Sequence, residues 1–381
     1  MRQQQITRIL GWEIDAAKVT DVLRHLEMQV HESATGWQVQ PPAHRFDINL
    51  EVDLIEEIAR IVGLEHIPSV APIEALVMQP QIEAKRSEDF IRQIMVDHGF
   101  HETLTYSFVD PKMQRLLLPE QQTIALQNPI ANDNSVMRTS IWVNLIPAVV
   151  YNQQHQQARV RLFEIGRVYQ KTKIDKEIQQ PYKIAAVMAG TRFPEQWGMT
   201  AETLDFYDVK AEVKALVLHA NFIAAEHPSL HPGQSAQVYV GKQHLGWLGM
   251  LHPTIMQALK LTSPVGLFEL DLTKILWRPV PKYQQITKFP AIRRDLAIVV
   301  AEEVTLQQVY DIIRNSTGKL LLAVTPFDIY RGQGVAPGYK SLALALTFQH
   351  PQRTLTDAEV IPLMEMLGRA LQKTVGAKLR E

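Results

Sequence analysis

Two proline-broken stretches decide how this 381-residue chain can fold. The first, IPSVAPIEALVMQPQIEA, runs from Ile67 to Ala84, and the second, WRPVPKYQQITKFP, from Trp277 to Pro290. Proline lacks a backbone N–H and has a fixed φ, so neither stretch continues a helix or a central strand. Both read as linkers, and no internal repeat relates the segments between them. The expected division is 1-72, 82-279 and 287-381.

Each segment has its own pattern. The first opens on a polar strand or turn. A helix follows over Asp15–Leu26, then strands near Met28–His31 and Trp37–Gln40. A second helix runs from about Leu50 to Val62, with Leu50, Leu54, Ile58 and Ile61 as its apolar stripe and Gly63 closing it. The middle segment predicts helices over Lys85–His98, from Thr139 onward and over Val209–Leu218. Its strands are Leu104–Val109, Thr123–Leu126, RVRLFEIGRVY at 159–169, Ile184–Ala189, Gln237–Val240, Leu245–Leu251 and Val265–Asp271. Strands dominate with connections of varied length, which predicts an antiparallel sheet with flanking helices. The last segment predicts the order βαββαβ of a split, ferredoxin-like unit. The expected fold class is therefore α+β multidomain.

Composition excludes several chemistries. The chain has no cysteine, so a disulfide framework, a thiolate metal site and a cysteine nucleophile are ruled out. No apolar run is long enough to predict a membrane span, and MRQQQITRILGWE predicts no export signal. Phosphate-cradling glycine motifs, HExxH and GxSxG are all missing from the sequence. Charge is uneven: residues 1–72 are net -5 and residues 282–381 net +4. A basic end segment suits a local anionic partner, and suits an ordinary solvated surface as well.

The sharpest chemical pattern is HRFDINLEVDLIEEIARIVG, residues 44–63. Asp53, Glu56 and Glu57 fall at i, i+3 and i+4, on one side of a helix, with Asp47 just upstream. Oxygen donors without histidine or thiolate suit a hard cation, magnesium before zinc. The same pattern also suits acidic residues in a helix's first turns, with Arg45 and Arg60 as partners.

RFDINLEVDLIEEIARIVG followed by LEHIP resembles the B5 module of bacterial phenylalanyl-tRNA synthetase beta subunits. NPIANDNSVMRTS, YNQQHQQARVRLFEIGRVY and FYDVKAEV resemble the class II synthetase-like domain of that family. KFPAIRRDLAIVV and GYKSLALALTFQHPQRTLTDAEV resemble its ferredoxin-fold anticodon-binding domain. The resemblance implies a cytoplasmic phenylalanine–tRNA ligase, an (αβ)2 tetramer using ATP and magnesium, whose alpha subunit carries the aminoacylation site. It implies a catalytically inactive synthetase-like domain here, with no catalytic residues. It carries the family's magnesium pattern onto Asp47, Asp53, Glu56 and Glu57. Family members are about twice this length, so the chain reads as a C-terminal fragment that catalyses nothing alone. A stand-alone RNA-binding protein and a carboxylate-metal hydrolase are the alternatives.

For the phenylalanine tRNA that the resemblance implies, charge and aromatic spacing in the last segment offer a binding set. Lys288, Arg293 and Arg294 gather at the entry to its first strand. Arg331 and Lys340 flank the glycine-rich turn, and Tyr330 and Tyr339 are candidates to stack on unpaired bases. Arg293 and Arg294 are adjacent, so in a strand they point to opposite faces.

Overall fold

Residues 1–71, 73–78, 80–171, 177–283 and 285–380 are described by a computed structural model. Pro72, Gln79, residue 284 and Glu381, which fall within the linkers and last segment expected from sequence, lie outside that set. Two units result, Met1–Ile82 and Glu83–Glu381. No helix among the described residues is long and apolar enough to cross a membrane.

The first unit starts with a helix, α1 (Gln3–Leu10), where sequence predicts a polar strand or turn. Its three glutamines hide the periodicity, because only Ile6 and Leu10, at i and i+4, reach the core. Gly11, at φ 79°, ends it by donating its N–H to the Thr7 carbonyl. Helix α2 (Ala16–His25) buries Val19, Val22 and Leu23, as its spacing predicts. Strands β1 (Gln29–Ser33) and β2 (Gly36–Gln40) form an antiparallel hairpin. Helix α3 (Glu51–Val62) buries Leu54, Ile55, Ile58 and Ala59. The expected stripe is thus rotated: Leu50 is in extended backbone ahead of the helix, and both it and Ile61 are exposed.

The second unit is organised by a seven-stranded sheet. Its elements in chain order are α4 (Glu88–Asp97), β3 (His101–Glu102), α5 (Trp142–Gln154), β4 (Val160–Arg167), β5 (Tyr182–Ala189), α6 (Phe206–Leu216), β6 (Asn221–Ala224), β7 (Leu230–Val240), β8 (Gln243–Leu251) and β9 (Val265–Asp271). The strand order is β6-β7-β8-β9-β5-β4-β3, antiparallel except for the short β3–β4 pair. The expected strand at Leu104–Val109 shrinks to Phe108–Val109, since Leu104 and Tyr106 turn outward into solvent.

Period two explains why both faces of this sheet are covered. Along β5, Ile184, Ala186 and Met188 pack with Val209 and Val213 of α6. The alternate residues Ala185, Val187 and Ala189 pack with Leu145, Ile146 and Val149 of α5. Charged residues inside this core are paired. Arg138 and Glu164 are almost fully buried and 2.7 Å apart. Arg161 meets Glu212 at 2.9 Å, and His98 also contacts Glu212.

The last part follows the expected βαββαβ order. Strand β10 (Ile292–Ala301) leads to α7 (Leu306–Thr317), β11 (Leu321–Tyr330), β12 (Tyr339–Phe348), α8 (Asp357–Val375) and β13 (Lys378–Leu379). The strands lie in the order β11-β12-β10-β13, all antiparallel. Thr356 and Glu359 form the capping box that starts α8. Leu296, Ile298 and Val300 face its core with Leu342, Leu344 and Leu346. The odd-numbered positions of β10 and β12 form the other, open face.

Breaking a buried ion pair by removing one partner leaves an uncompensated charge. Arg138→Met alone is expected to lower stability by about 3–5 kcal/mol. Arg138→Met combined with Glu164→Leu is expected to recover much of that loss, read from urea unfolding midpoints of the two variants.

Candidate nucleic-acid interface and acidic helix

The open face of the four-stranded sheet gathers aromatic rings and cations. Arg293 pairs in register with Thr347, on the open side, and its guanidinium lies 5.8 Å from the Phe327 ring centroid. Tyr330 pairs with Ser341, which places it on the same face as Tyr339 two positions along β12. Both tyrosines are partly exposed, and the described residues show no ring contact between them. Arg380 follows β13, yet its guanidinium sits 5.4 Å from the Tyr330 ring centroid.

The other expected RNA-binding residues go elsewhere. Arg294 is on the helix side of β10 and pairs with Asp357 at the start of α8. Lys340 is also on the helix side, and its ammonium donates to the Glu302 carbonyl at 2.7 Å. Arg331 holds the Glu302 carboxylate through Nε and Nη2, which lowers the Glu302 pKa from the ordinary carboxylate range. Lys288 is exposed on the approach to β10. Arg293, Tyr330 and Tyr339 therefore share a face, while Arg294 and Lys340 do not join it. Phe327 and Arg380 were missed by sequence reasoning. Phe327 stands at an irregularity of the β11–β12 register, and Arg380 is placed by β13 pairing with β10. Alternation along one strand signals neither.

The acidic helix has a different character. Arg45 contacts both Asp47 and Glu57 at 2.8 Å, and Arg60 also holds Glu57. Hydrogen bonds from Arg45 are the main cause of the lowered pKa of both carboxyls. The Asp53 carboxylate accepts the backbone N–H groups of Asn49 and Leu50, at 2.9 and 2.7 Å, and caps α3. Glu56 is exposed, with no hydrogen bond or ion pair among the described residues. Among those residues no group of three or more acidic or histidine side chains is placed to hold a metal ion. The donor chemistry suits magnesium; as the side chains stand, Arg45 lies between Asp47 and Glu57, and Asp53 accepts two backbone N–H groups.

Three other charged side chains of the second unit serve local structure. Asp205 caps α6 by accepting the N–H groups of Tyr207 and Asp208. Arg138 is the buried partner of Glu164, and Arg167 donates to the Gln180 carbonyl.

Comparison with known proteins gives three family matches. Residues 1–64 match the tRNA synthetase B5 domain, 67–272 the phenylalanyl tRNA synthetase beta chain CLM domain, and 287–380 the ferredoxin-fold anticodon binding domain. A phenylalanine–tRNA ligase beta subunit from Nitrosococcus oceani is 41% identical over all of this chain and 49% of its own length. One from Coxiella burnetii is 42% identical, again over 100% of this chain and 49% of the relative. A solved pyrrolysyl tRNA synthetase of Desulfitobacterium hafniense aligns with 50% of this chain and 66% of its own, at 14% identity and a TM-score of 0.40. The chain spans about half the length of the curated relatives it matches. With a family match over more than half of its residues and relatives above 40% identity along its whole length, the chain belongs to the phenylalanine–tRNA ligase beta subunit family.

Proposed function

We propose that this chain is a noncatalytic scaffold and tRNA-binding part of a phenylalanine–tRNA ligase beta subunit. In this reading an alpha subunit, in an (αβ)2 tetramer, attaches phenylalanine to its tRNA with ATP and magnesium in the cytoplasm. Residues 1-72, 82-279 and 287-381 are its B5, synthetase-like and anticodon-binding domains. The observation that carries the reading is the open sheet face bearing Arg293, Phe327, Tyr330, Tyr339 and Arg380 in the part that matches the anticodon binding domain. Rings stack on unpaired bases, and guanidinium groups meet phosphates or stack in turn. Arg293 also holds Asp295, at 3.0 Å, but that pair lies on the open face itself. Arg294, Arg331 and Lys340 are engaged in contacts off that face, so their part in binding is secondary. Lys288 adds charge on the approach.

The test is tRNA affinity of the complete alpha–beta enzyme across a salt series. Tyr330→Ala is expected to lose about 1–3 kcal/mol of binding through lost stacking. Arg293→Glu is expected to weaken binding and to reduce the salt slope by about one, the signature of a lost phosphate contact. Arg294→Glu should weaken binding less. Unchanged affinity and slope for every open-face change would overturn the assignment.

Docking of alpha on the synthetase-like part is supported by exposed apolar side chains there, including Leu104, Tyr106 and Ile130. Obligate interfaces commonly bury more than about 2,000 Å². Light scattering of a mixture with alpha is expected to show a complex at micromolar concentration, and two separate species would count against it.

Magnesium is proposed on Asp47, Asp53, Glu56 and Glu57, with Arg45 as the group that must leave first. An ion that binds only the folded state raises stability by mass action. Magnesium should therefore raise the melting temperature more in Arg45→Ala than in the parent chain. A Glu56→Ala, Glu57→Ala double variant should lose the response. Identical melting in all three, with and without magnesium, would remove the ion from the reading.

A further inference from the structure

A cavity of about 440 Å³ opens on the middle of the seven-stranded sheet. Its floor comes from β5, β8 and β9, and one wall comes from the start of α5. The size is within the range of small-molecule sites, roughly 300–1,000 Å³. None of the residues discussed for tRNA or magnesium lines it.

Aromatic rings form one side, beside a polar rim that includes Gln121, Gln170 and Gln179. Trp142 and His227 meet edge to face with centroids 5.4 Å apart, and His227 lies 4.9 Å from Trp247. His244 continues the row, 6.2 Å from Trp247. Burial pushes the His227 pKa down to about 4, so the ring is neutral at pH 7. Its Nδ1 accepts the Ser229 N–H, which puts the proton on Nε2. His244 Nε2 is buried without a hydrogen-bond partner.

The floor is built and charged. Glu269, only 8% exposed, accepts Ser140 Oγ and the Ile141 N–H through Oε1, both at 2.8 Å. Its Oε2 meets the Lys183 ammonium at 2.5 Å. Lys274 contacts Asp271 at 3.2 Å and donates to the His244 carbonyl at 3.0 Å. An ammonium has three donors. Lys183 uses one and Lys274 two, so three remain, joined by the His227 Nε2–H and by the Trp247 indole N–H, which has no partner among the described residues. The Glu269 and Asp271 oxygens are largely occupied. The rim residues Gln121, Gln170 and Gln179 each offer acceptor and donor sites in equal number. Free donors thus still outnumber free acceptors, which favours an anion. The two carboxylates beside the two lysines disfavour a second negative charge on it. The rings select a flat apolar body.

We propose that this cavity binds a small aromatic monocarboxylate, its carboxylate on the spare donors of Lys183 and Lys274 and its ring against Trp247 and His227. The site is independent of the tRNA reading, and its test needs neither tRNA nor alpha.

Titration calorimetry with 3-phenylpropionate tests it on the full chain, against 3-phenylpropionamide, phenethylamine and inorganic phosphate. The carboxylate is expected to bind at about 1 mM or tighter, and the three others at least about tenfold more weakly. Lys274→Gln, a half-exposed position, should weaken the carboxylate about tenfold and leave the amide unchanged. Trp247→Leu should weaken the carboxylate and the amide alike, since it removes ring contact. Circular dichroism confirms that both variants are folded, and a variant that fails to fold is replaced by Lys274→Met or Trp247→Phe. Equal affinity for acid and amide, tighter binding of phosphate or the amine, no heat with any probe, or indifference to both lysine and tryptophan changes would each overturn the proposal.

Discussion

Glu269 is the side chain on which the larger unit depends. It sits on β9, the central strand of a seven-stranded sheet, and is nearly sealed from water. A lone carboxylate in such a place is costly, so every lone pair must find a donor. Lys183 comes from the neighbouring strand β5, while Ser140 and Ile141 come from the start of α5. One carboxylate therefore fixes helix to sheet. The Trp142 indole donates to the Phe268 carbonyl at 2.9 Å and repeats the connection one residue away. Gly246 completes the geometry, because a Cβ there would come within 2.0 Å of the Glu269 carbonyl oxygen. Strand β8 can approach β9 this closely only without a side chain at that point.

The contrast between this buried charge and the surface charges explains why net charge alone was a weak guide. The last segment is net +4, but Arg294 answers Asp357, and Arg331 and Lys340 answer Glu302. These exposed pairs are worth little in stability and are screened by salt. Their effect is on availability, since a guanidinium already holding a carboxylate must release it before it meets a phosphate. In the first unit Arg45 does the same to two of the four acidic residues at once.

The sequence revealed most of the architecture because period is a backbone property. The βαββαβ order, the long strands of the middle sheet and α3 all carry patterns that survive without tertiary context. Failures came where context decides. The glutamines that open α1 mask a core-facing stripe of only Ile6 and Leu10, and Leu50 and Ile61 follow helical spacing without facing the core. Among site residues, the opposite facing of Arg293 and Arg294 was legible from strand alternation alone. Arg380 was not, because its proximity to Tyr330 follows from where β13 pairs. The aromatic cavity was invisible for the same reason: Trp142, His227, Trp247 and Glu269 are separated by up to 127 residues and share no local pattern.

The two aromatic–cation assemblies use the same residue types under different dielectric conditions. On the open sheet face, Arg293 and Arg380 lie by Phe327 and Tyr330 in contact with solvent, where attraction is weak and screened. That setting suits a long flexible polyanion, which gains affinity by adding many weak contacts and releasing counterions. In the cavity, Lys183 and Lys274 are partly shielded, and their carboxylate partners hold the local charge near neutral. A polyanion gains nothing there, since each further charge meets Glu269 or Asp271. A compact ligand, by contrast, satisfies donors already fixed in place and leaves few groups to order. Solvent exposure thus separates the two surfaces by the size and charge of what each can hold.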